Sequence, residues 1–443
     1  MAGIRQFHQE KGLMAEHFNE ETTDIVVVGT GIHGAHMCIR IGADPFLREL
    51  QILTVDPSSE PLALWKERTG NTTMTYLRSP ASHGLHPFFP SLRRFAEAGT
   101  FPRPFIPPYH RPSLTLFNRH AEEELKNAPI RRRHITGSVV DIVRRPRNGR
   151  RRPETLVTVR RPDGSNRYIA ASVVVLAPGQ PALNIPAPFA DVLADVKDSI
   201  KERIIHIYDP RFSPALLSKA RSVAVIGGGI GGTHLALTLA SRGVTPDMWC
   251  RTEPETQQFD SDPCFIGPRC RGDFLQITDL DKRRELILKS RRVGSVPSDI
   301  AARREKAVSA GTMRVIRDTV DLVASKNGQI VLHGKEFTGR YDYVVLATGF
   351  GSGPPAEALI DRLATTWDLA RGSKGFPAVD SSLRWRSVGS DSAAPNNREG
   401  PPIYCMGALA ELELGPPARN IIGAHLGGRL IVPSLREFFS RRP

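Results

Sequence analysis

Cysteine is scarce in this chain: five among 443 residues, an odd number dispersed at positions 38, 250, 264, 270 and 405. That usage excludes a disulfide framework as the source of stability and points to a reducing, cytoplasmic setting. Cys264 and Cys270 have five residues between them rather than two, which argues against a C-x-x-C redox centre and against a zinc site. No apolar run reaches the 18 or so residues that a membrane-spanning helix needs, so no membrane partner is expected. The opening MAGIRQFHQEKGLMAEHFNEETTD mixes both charge signs and lacks the apolar stretch of a secretory signal, so residues 1–23 read as a lead-in. Neither a His-Glu-x-x-His pattern nor a Ser/His/Asp order occurs, which removes a metal site and a protein nucleophile from consideration. Aromatics are few, at 7 %, and do not interleave with the arginines of residues 131–152, as they must in a single-strand nucleic-acid binder. Those arginines carry much of the formal charge of +14. With GSVVDIV and ETLVTVR reading as paired strands, they decorate turns and sheet edges, and no nucleic-acid partner is expected.

What the chain does have is glycine in two particular places. Its length suits two or three domains. In Ser222–Gly243 (SVAVIGGGIGGTHLALTLASRG) four apolar residues run into Gly227, Gly229 and Gly232 of a G-x-G-x-x-G, and an Ala/Leu-rich helical pattern follows. The first glycine permits the sharp turn, the second lets a pyrophosphate approach the backbone, and the third lets helix pack on strand. The free N–H groups of the helix start then face the phosphates. A second copy lies near the beginning: DIVVV at 24–28, then Gly29, Gly31 and Gly34, then a helical AHMCIRIGA. The strand that follows ends at Asp56, 22 residues past Gly34, the place of the acid that binds an adenosine ribose. After the later copy no acid stands at the ribose position. Arg251, 19 residues past Gly232, stands where an arginine pairs with a 2′-phosphate, and Glu253 follows two residues on. Two such units imply two dinucleotides, or one and a decayed relic; the N-terminal place of the first copy, where FAD-binding folds usually begin, suggests FAD there and a nicotinamide coenzyme at the later one.

Between and beyond the fingerprints, the stretch ALWKERTGNTTMTYLRSPASHGLHP reads as loop-rich, with Trp65, Arg78, Ser79 and His83 as candidate flavin or substrate contacts. FPRPFIPPYHRP is a rigid connection, and Leu114 to Lys126 reads as an amphipathic helix. His206 and Tyr208 precede the second fingerprint, and DYVVLATGF at 342–350 reads as a strand ending in a small-residue turn. His33 and His36 share a face of the first fingerprint's helix, where packing accounts for them.

These residues resemble the two-dinucleotide-binding (class B) flavoprotein monooxygenases, most of all the lysine/ornithine N-hydroxylase group. The segments that carry the resemblance are VVVGTGIHGAH, VAVIGGGIGGTHLAL and DYVVLATGF. It implies an α/β fold of two Rossmann-like domains of the three-layer ββα type, the NADPH domain inserted in the FAD domain. The expected boundaries are 24–200 and 339–443 for FAD and 201–338 for NADPH. It assigns Gly29, Gly31, Gly34, Asp56, Trp65, Arg78, Gly349 and Gly407 to FAD, and Gly227, Gly229, Gly232, Arg251 and Thr348 to NADPH. It further implies that NADPH reduces the flavin, that O2 adds as a C4a-hydroperoxide, and that a small nucleophilic substrate, an amine nitrogen above all, is hydroxylated. Ile200 and Glu202 stand in the Phe and Gly places of the Phe-x-Gly-x-x-x-His fingerprint, and Phe350 replaces the tyrosine usual in the N-hydroxylases. The choice among amine, sulfide and ketone therefore stays open, as does an oligomeric state. The alternative is an NADPH-dependent FAD reductase that passes electrons to a quinone, protein or small acceptor without inserting oxygen.

Overall fold

The computed structural model describes residues 21–128, 133–145, 155–180, 182–195, 200–389 and 401–441. Most of the lead-in and most of the arginine-rich turn at 145–152 lie outside the described residues. The larger sheet is built from β1 (Glu21–Val28), β2 (Ile52–Asp56), β3 (His134–Thr136), β4 (Ser138–Arg144), β5 (Thr155–Arg160) and β6 (Asn166–Leu176). Their spatial order is β3-β2-β1-β6-β5-β4. β1 is central, parallel to β2 with Ile25 opposite Ile52 and parallel to β6 with Val26 opposite Val174. A strand with parallel neighbours and both faces covered needs apolar side chains on both, hence the unbroken Ile25–Val28 run, all buried. β4 and β5 form the antiparallel hairpin expected from GSVVDIV and ETLVTVR.

The glycine turn after β1 leads into α1 (Ile32–Gly42), and after β2 the chain forms α2 (Ala63–Asn71), a helix where the sequence suggests loop. Another sheet follows, of β7 (Ile204–His206), β8 (Val223–Ile226), β9 (Asp247–Trp249) and β10 (Arg314–Ile316). α3 (Ile230–Ser241) follows the glycine turn after β8, and α4 (Ser298–Ser309) precedes β10. An antiparallel meander of β11 (Leu322–Lys326), β12 (Gln329–His333) and β13 (Thr338–Tyr341) then leads to β14 (Tyr343–Leu346), which completes this sheet in the order β10-β9-β8-β14-β7. Finally β15 (Ile403–Cys405) returns to the larger sheet beside β6, and α5 (Ile421–Ser440) packs along α1. The residues of the smaller sheet thus lie, in sequence, between two strands of the larger one.

The two layers meet where α2 ends. Asn71 donates to the Ile207 carbonyl at 3.1 Å, and the Thr73 hydroxyl lies 2.7 Å from that of Thr238 on α3. Arg78 donates to the carbonyls of Gln257 and Gln258, both at 2.7 Å, and to the Ser295 hydroxyl at 2.8 Å. One expectation is corrected. Cys264 and Cys270 are joined in a disulfide with Cα atoms 5.5 Å apart, because the short turn at Pro263–Ile266 runs straight into a helix and folds the two sulfurs together. The other three cysteines are buried thiols.

Candidate active site

Both glycine turns bring a helix N-terminus to the edge of a parallel sheet, and the glycines in each turn are required for different reasons. Gly29 and Gly227 hold φ at +91° and +119°. A Cβ on either would fall 2.2 Å from the Ala177 carbonyl oxygen or 2.5 Å from that of Ala347. Gly34 and Gly232 let helix meet turn, since a Cβ there would lie 1.8 and 2.2 Å from the carbonyl oxygens of Gly29 and Gly227. Gly31 and Gly229 differ. They are the helix N-caps, with φ of −65° and −68° that any residue adopts. A Cβ on Gly31 meets nothing within 4 Å, and one on Gly229 meets only the Gly294 Cα, at 3.5 Å. Nothing inside the protein demands glycine at these two positions. A phosphate lying against the helix N-terminus is the kind of ligand that would require glycine there.

Between the turns lies a cavity of about 410 Å3, lined by Gly31, Ile32 and His33 on one side and by Ile230, Gly231 and His234 on the other. Its walls are mainly apolar: Leu64, Met74, Leu77, Ile266, Ile421 and Ile422. Tyr208 and Phe350 stack with ring centroids 5.2 Å apart and planes within 8°. The Arg68 guanidinium sits 5.0 Å from the Phe350 ring centre and 5.6 Å from that of Tyr208, with its buried Nε lacking a hydrogen-bond partner. Burial holds its basicity below the ordinary arginine value. On the opposite wall Asp260 is neutralised by Arg291 at 3.0 Å and accepts from Asn420 at 2.9 Å. Arg419 donates to the buried carboxylate of Glu411 at 2.7 Å.

No protein-family model and no curated protein matches this sequence. Solved structures do match it, over nearly its whole length. An ornithine hydroxylase from Pseudomonas aeruginosa superposes with a TM-score of 0.70 at 18 % identity, over 94 % of this chain and 100 % of that one. An ornithine N-hydroxylase from Kutzneria sp. 744, solved with reduced FAD, NADP+ and L-ornithine, gives 0.69 at 17 % identity, over 94 % and 99 %. The chain has the fold of the ornithine hydroxylases. A bacillithiol disulfide reductase from Bacillus cereus is similar at a TM-score of 0.57 and 15 % identity, over 94 % and 99 %, so the architecture alone does not choose between oxygenase and reductase.

Within this fold the candidate residues divide by environment. Asp56 ends β2 beside the first turn, where its carboxylate accepts the Thr30 N–H at 2.7 Å and the Ser58 N–H at 2.8 Å. Trp65 lines the cavity, but its indole N–H donates to Asn118 and its ring lies 5.5 Å from that of Phe117, tilted by 52°. Arg78 also lines it, although its guanidinium is spent on the carbonyls described above. Ser79 and His83 face the cavity. Thr348 donates to the Asn184 carbonyl, and Gly349 accepts from the Asn184 N–H at 3.0 Å. A Cβ on Gly407 would lie 3.2 Å from the His33 ring. His206 is buried, its Nδ1 accepting from the Tyr208 N–H at 3.1 Å, and burial pushes its pKa down to about 4. Arg251 is exposed at the end of β9, while Glu253 is held by Arg304 and Arg317. Sequence patterns did not single out Arg68, Asp260, Arg419 or Asn420 as site residues. No local motif marks them, because three separate segments, α2, the 259–266 loop and the turn before α5, carry them to the cavity.

In and behind the cavity wall four imidazoles gather. His33 and His83 line the cavity, and His36 and His425 lie behind them with ring centroids 4.3 Å apart. His36 Nδ1 donates to the Leu85 carbonyl and His425 Nε2 to that of Gly84, both at 2.6 Å, which fixes the tautomer of each ring. Desolvation comes first among the causes that depress all four, to about 4 for His33, His83 and His425. A histidine whose folded pKa lies below its unfolded value near 6.5 contributes stability that is present above 6.5 and is lost as pH falls from there toward 4. The urea midpoint should therefore drop steadily between pH 7 and pH 4.5, and a flat profile over that interval would rule out buried neutral histidines.

Proposed function

We propose that the protein is an NADPH-dependent FAD monooxygenase that transfers one oxygen atom from O2 to the nitrogen of a small amine. The observation that carries this reading is the pair of N-cap glycines, Gly31, which lines the cavity, and Gly229, whose neighbours Ile230 and Gly231 line it; the protein around them gives neither an internal reason to be glycine. The larger sheet, residues 24–200 with 339–443, would hold FAD with its pyrophosphate at Gly31 and Asp56 beside the adenosine ribose. Residues 201–338, inserted in it, would hold NADPH at Gly229. Bound FAD would accept hydride from NADPH and activate O2, which is why the site needs no protein nucleophile.

The chain's own residues prepare the cavity. Apolar side chains from α2, the 259–266 loop and the start of α5 exclude water. An amine reacts only through its free lone pair, and the Arg68 cation on the wall, whose buried Nε has no hydrogen-bond partner, disfavours the ammonium form. Arg78, with Asn71 and Thr73, would fix the two units at the spacing hydride transfer requires, by binding backbone of one from the other. The similarity to a disulfide reductase keeps the electron-transfer alternative in view. Against it, neither Cys264 nor Cys270 is among the residues that line the cavity. Turnover under labelled O2 with ornithine, lysine and cadaverine as trial amines decides the matter. One labelled oxygen atom should appear in the product, coupled to NADPH oxidation. Efficient reduction of an added quinone or disulfide with no label in any product would establish the reductase instead.

A further inference from the structure

The end of β9 carries more charge than a single coenzyme-reading arginine requires. Glu253 accepts from Arg304 at 2.6 Å through one carboxylate oxygen and from Arg317 at 2.7 Å through the other. Arg304 projects from α4 and is only 4 % exposed, yet its second terminal nitrogen, Nη1, is buried without a hydrogen-bond partner. Arg317 follows β10, the strand beside β9, and is 69 % exposed. Arg251 stands exposed two residues from Glu253. The loop that bears them lies on the second glycine turn, since a Cβ on Gly228 would meet Pro254 at 2.6 Å and Cys250 at 3.1 Å. Two arginines thus hold one carboxylate, with a third, Arg251, exposed two residues from it, at the carboxyl end of two adjacent parallel strands, the place where a doubly wound sheet receives the adenosine end of a dinucleotide.

We infer that Arg251, Arg304 and Arg317 form the clamp for the coenzyme's 2′-phosphate, and that Glu253 is an internal stand-in for that phosphate which must yield when it binds. The inference rests on the reading of the smaller sheet as the NADPH unit. Three guanidiniums against one carboxylate leave two positive charges, which match a phosphate monoester of charge near −2. The unpartnered Arg304 nitrogen points to a ligand, because a buried guanidinium N–H left unpaired is costly and Glu253 satisfies only one side of the fork. In the empty site Glu253 keeps the two forks ordered. It also repels the incoming phosphate, so discrimination between NADPH and NADH is lower than the arginines alone would give. The sequence assigns this task to Arg251 alone. The structure spreads it over three elements and adds the acid as the opposing group.

The test uses the flavin-loaded protein and two small probes, adenosine 2′,5′-bisphosphate and adenosine 5′-monophosphate, titrated by calorimetry. The wild type should bind the bisphosphate more tightly. Glu253→Gln keeps the side-chain shape and removes the charge. It should tighten the bisphosphate on the order of three- to tenfold, a range set by partial solvent screening, and leave the monophosphate within about twofold. Arg317→Ala, at an exposed position that does not endanger folding, should weaken the bisphosphate about tenfold with little effect on the monophosphate. Three results overturn the inference: equal affinities for both probes in the wild type, a bisphosphate affinity that Glu253→Gln lowers or leaves unchanged, or one that Arg317→Ala leaves unchanged. Glu253→Gln weakening both probes alike would make Glu253 a ribose-hydroxyl ligand. Because the titration reads no oxygen chemistry, a failure to transfer labelled oxygen leaves the clamp standing. Oxygen transfer with flat titrations removes the clamp alone.

Discussion

Gly31→Val should give a protein that folds and purifies but carries no flavin. The valine side chain starts from a Cβ that meets no protein atom within 4 Å, at a φ of −65° that valine adopts readily. Folding is therefore left nearly untouched. Its methyl groups would occupy the space above the α1 N-terminus, where the pyrophosphate must touch backbone N–H groups. Absorbance near 450 nm relative to 280 nm measures flavin content, and more than a tenfold drop is expected, with far-ultraviolet circular dichroism unchanged. Gly34→Val is the control in the other direction. Its Cβ would start 1.8 Å from the Gly29 carbonyl oxygen, so it should fail to fold at all. A yellow Gly31→Val protein with full flavin content would remove the cofactor from the first turn.

Glu411→Gln should cost about 3–5 kcal/mol of stability, the usual penalty for leaving buried charge unpaired. Glu411 is 1 % exposed and is shared by two arginines. It accepts from Arg419 at 2.7 Å and makes a close ion pair with Arg284. Arg284 is itself buried over the Phe376 ring, and burial together with the nearby Arg419 and Arg291 holds its pKa down to about 10. With the carboxylate gone, two guanidiniums would remain in a dry wall. Arg419 and its neighbour Asn420 also line the cavity, so the loss would be felt at the site. Urea denaturation of flavin-loaded wild type and variant measures the difference. A loss below about 1 kcal/mol would show that water reaches the arginines and that the pair belongs with ordinary surface bridges.

Much of this molecule is legible in its sequence, for reasons that are local. A strand with parallel neighbours on both sides must be apolar throughout, so VVV and VAVI announce themselves. A turn that brings phosphate to a helix start must have glycine at fixed intervals, so both glycine turns are visible and so is their order along the chain. The DYVVL strand and the hairpin of β4 and β5 follow from the same periodicities. Where the balance was tertiary, the sequence was silent or misleading. ALWKERTGNTT has too few apolar residues to show a helix, yet α2 forms because Thr69 and Asn71 are buried against the other layer. Arg78 looks like a ligand residue, but its guanidinium is consumed by carbonyls more than 170 positions away in sequence. The Cys264–Cys270 bond depends on a turn and a helix that five intervening residues do not reveal.

By itself, then, the sequence determined the two glycine turns, the strands that support them and the class of ligand they suit, because backbone geometry and phosphate contact impose residue types at fixed spacing. Only the tertiary structure separated the four turn glycines that the backbone itself demands from Gly31 and Gly229, which it does not. Tertiary structure alone also gathered Arg68 with Phe350, Asp260 with Asn420, and Glu253 with Arg304 and Arg317. Such groups come from elements far apart in the chain, and their partners are chosen by packing and charge, which leave no repeat or spacing to read.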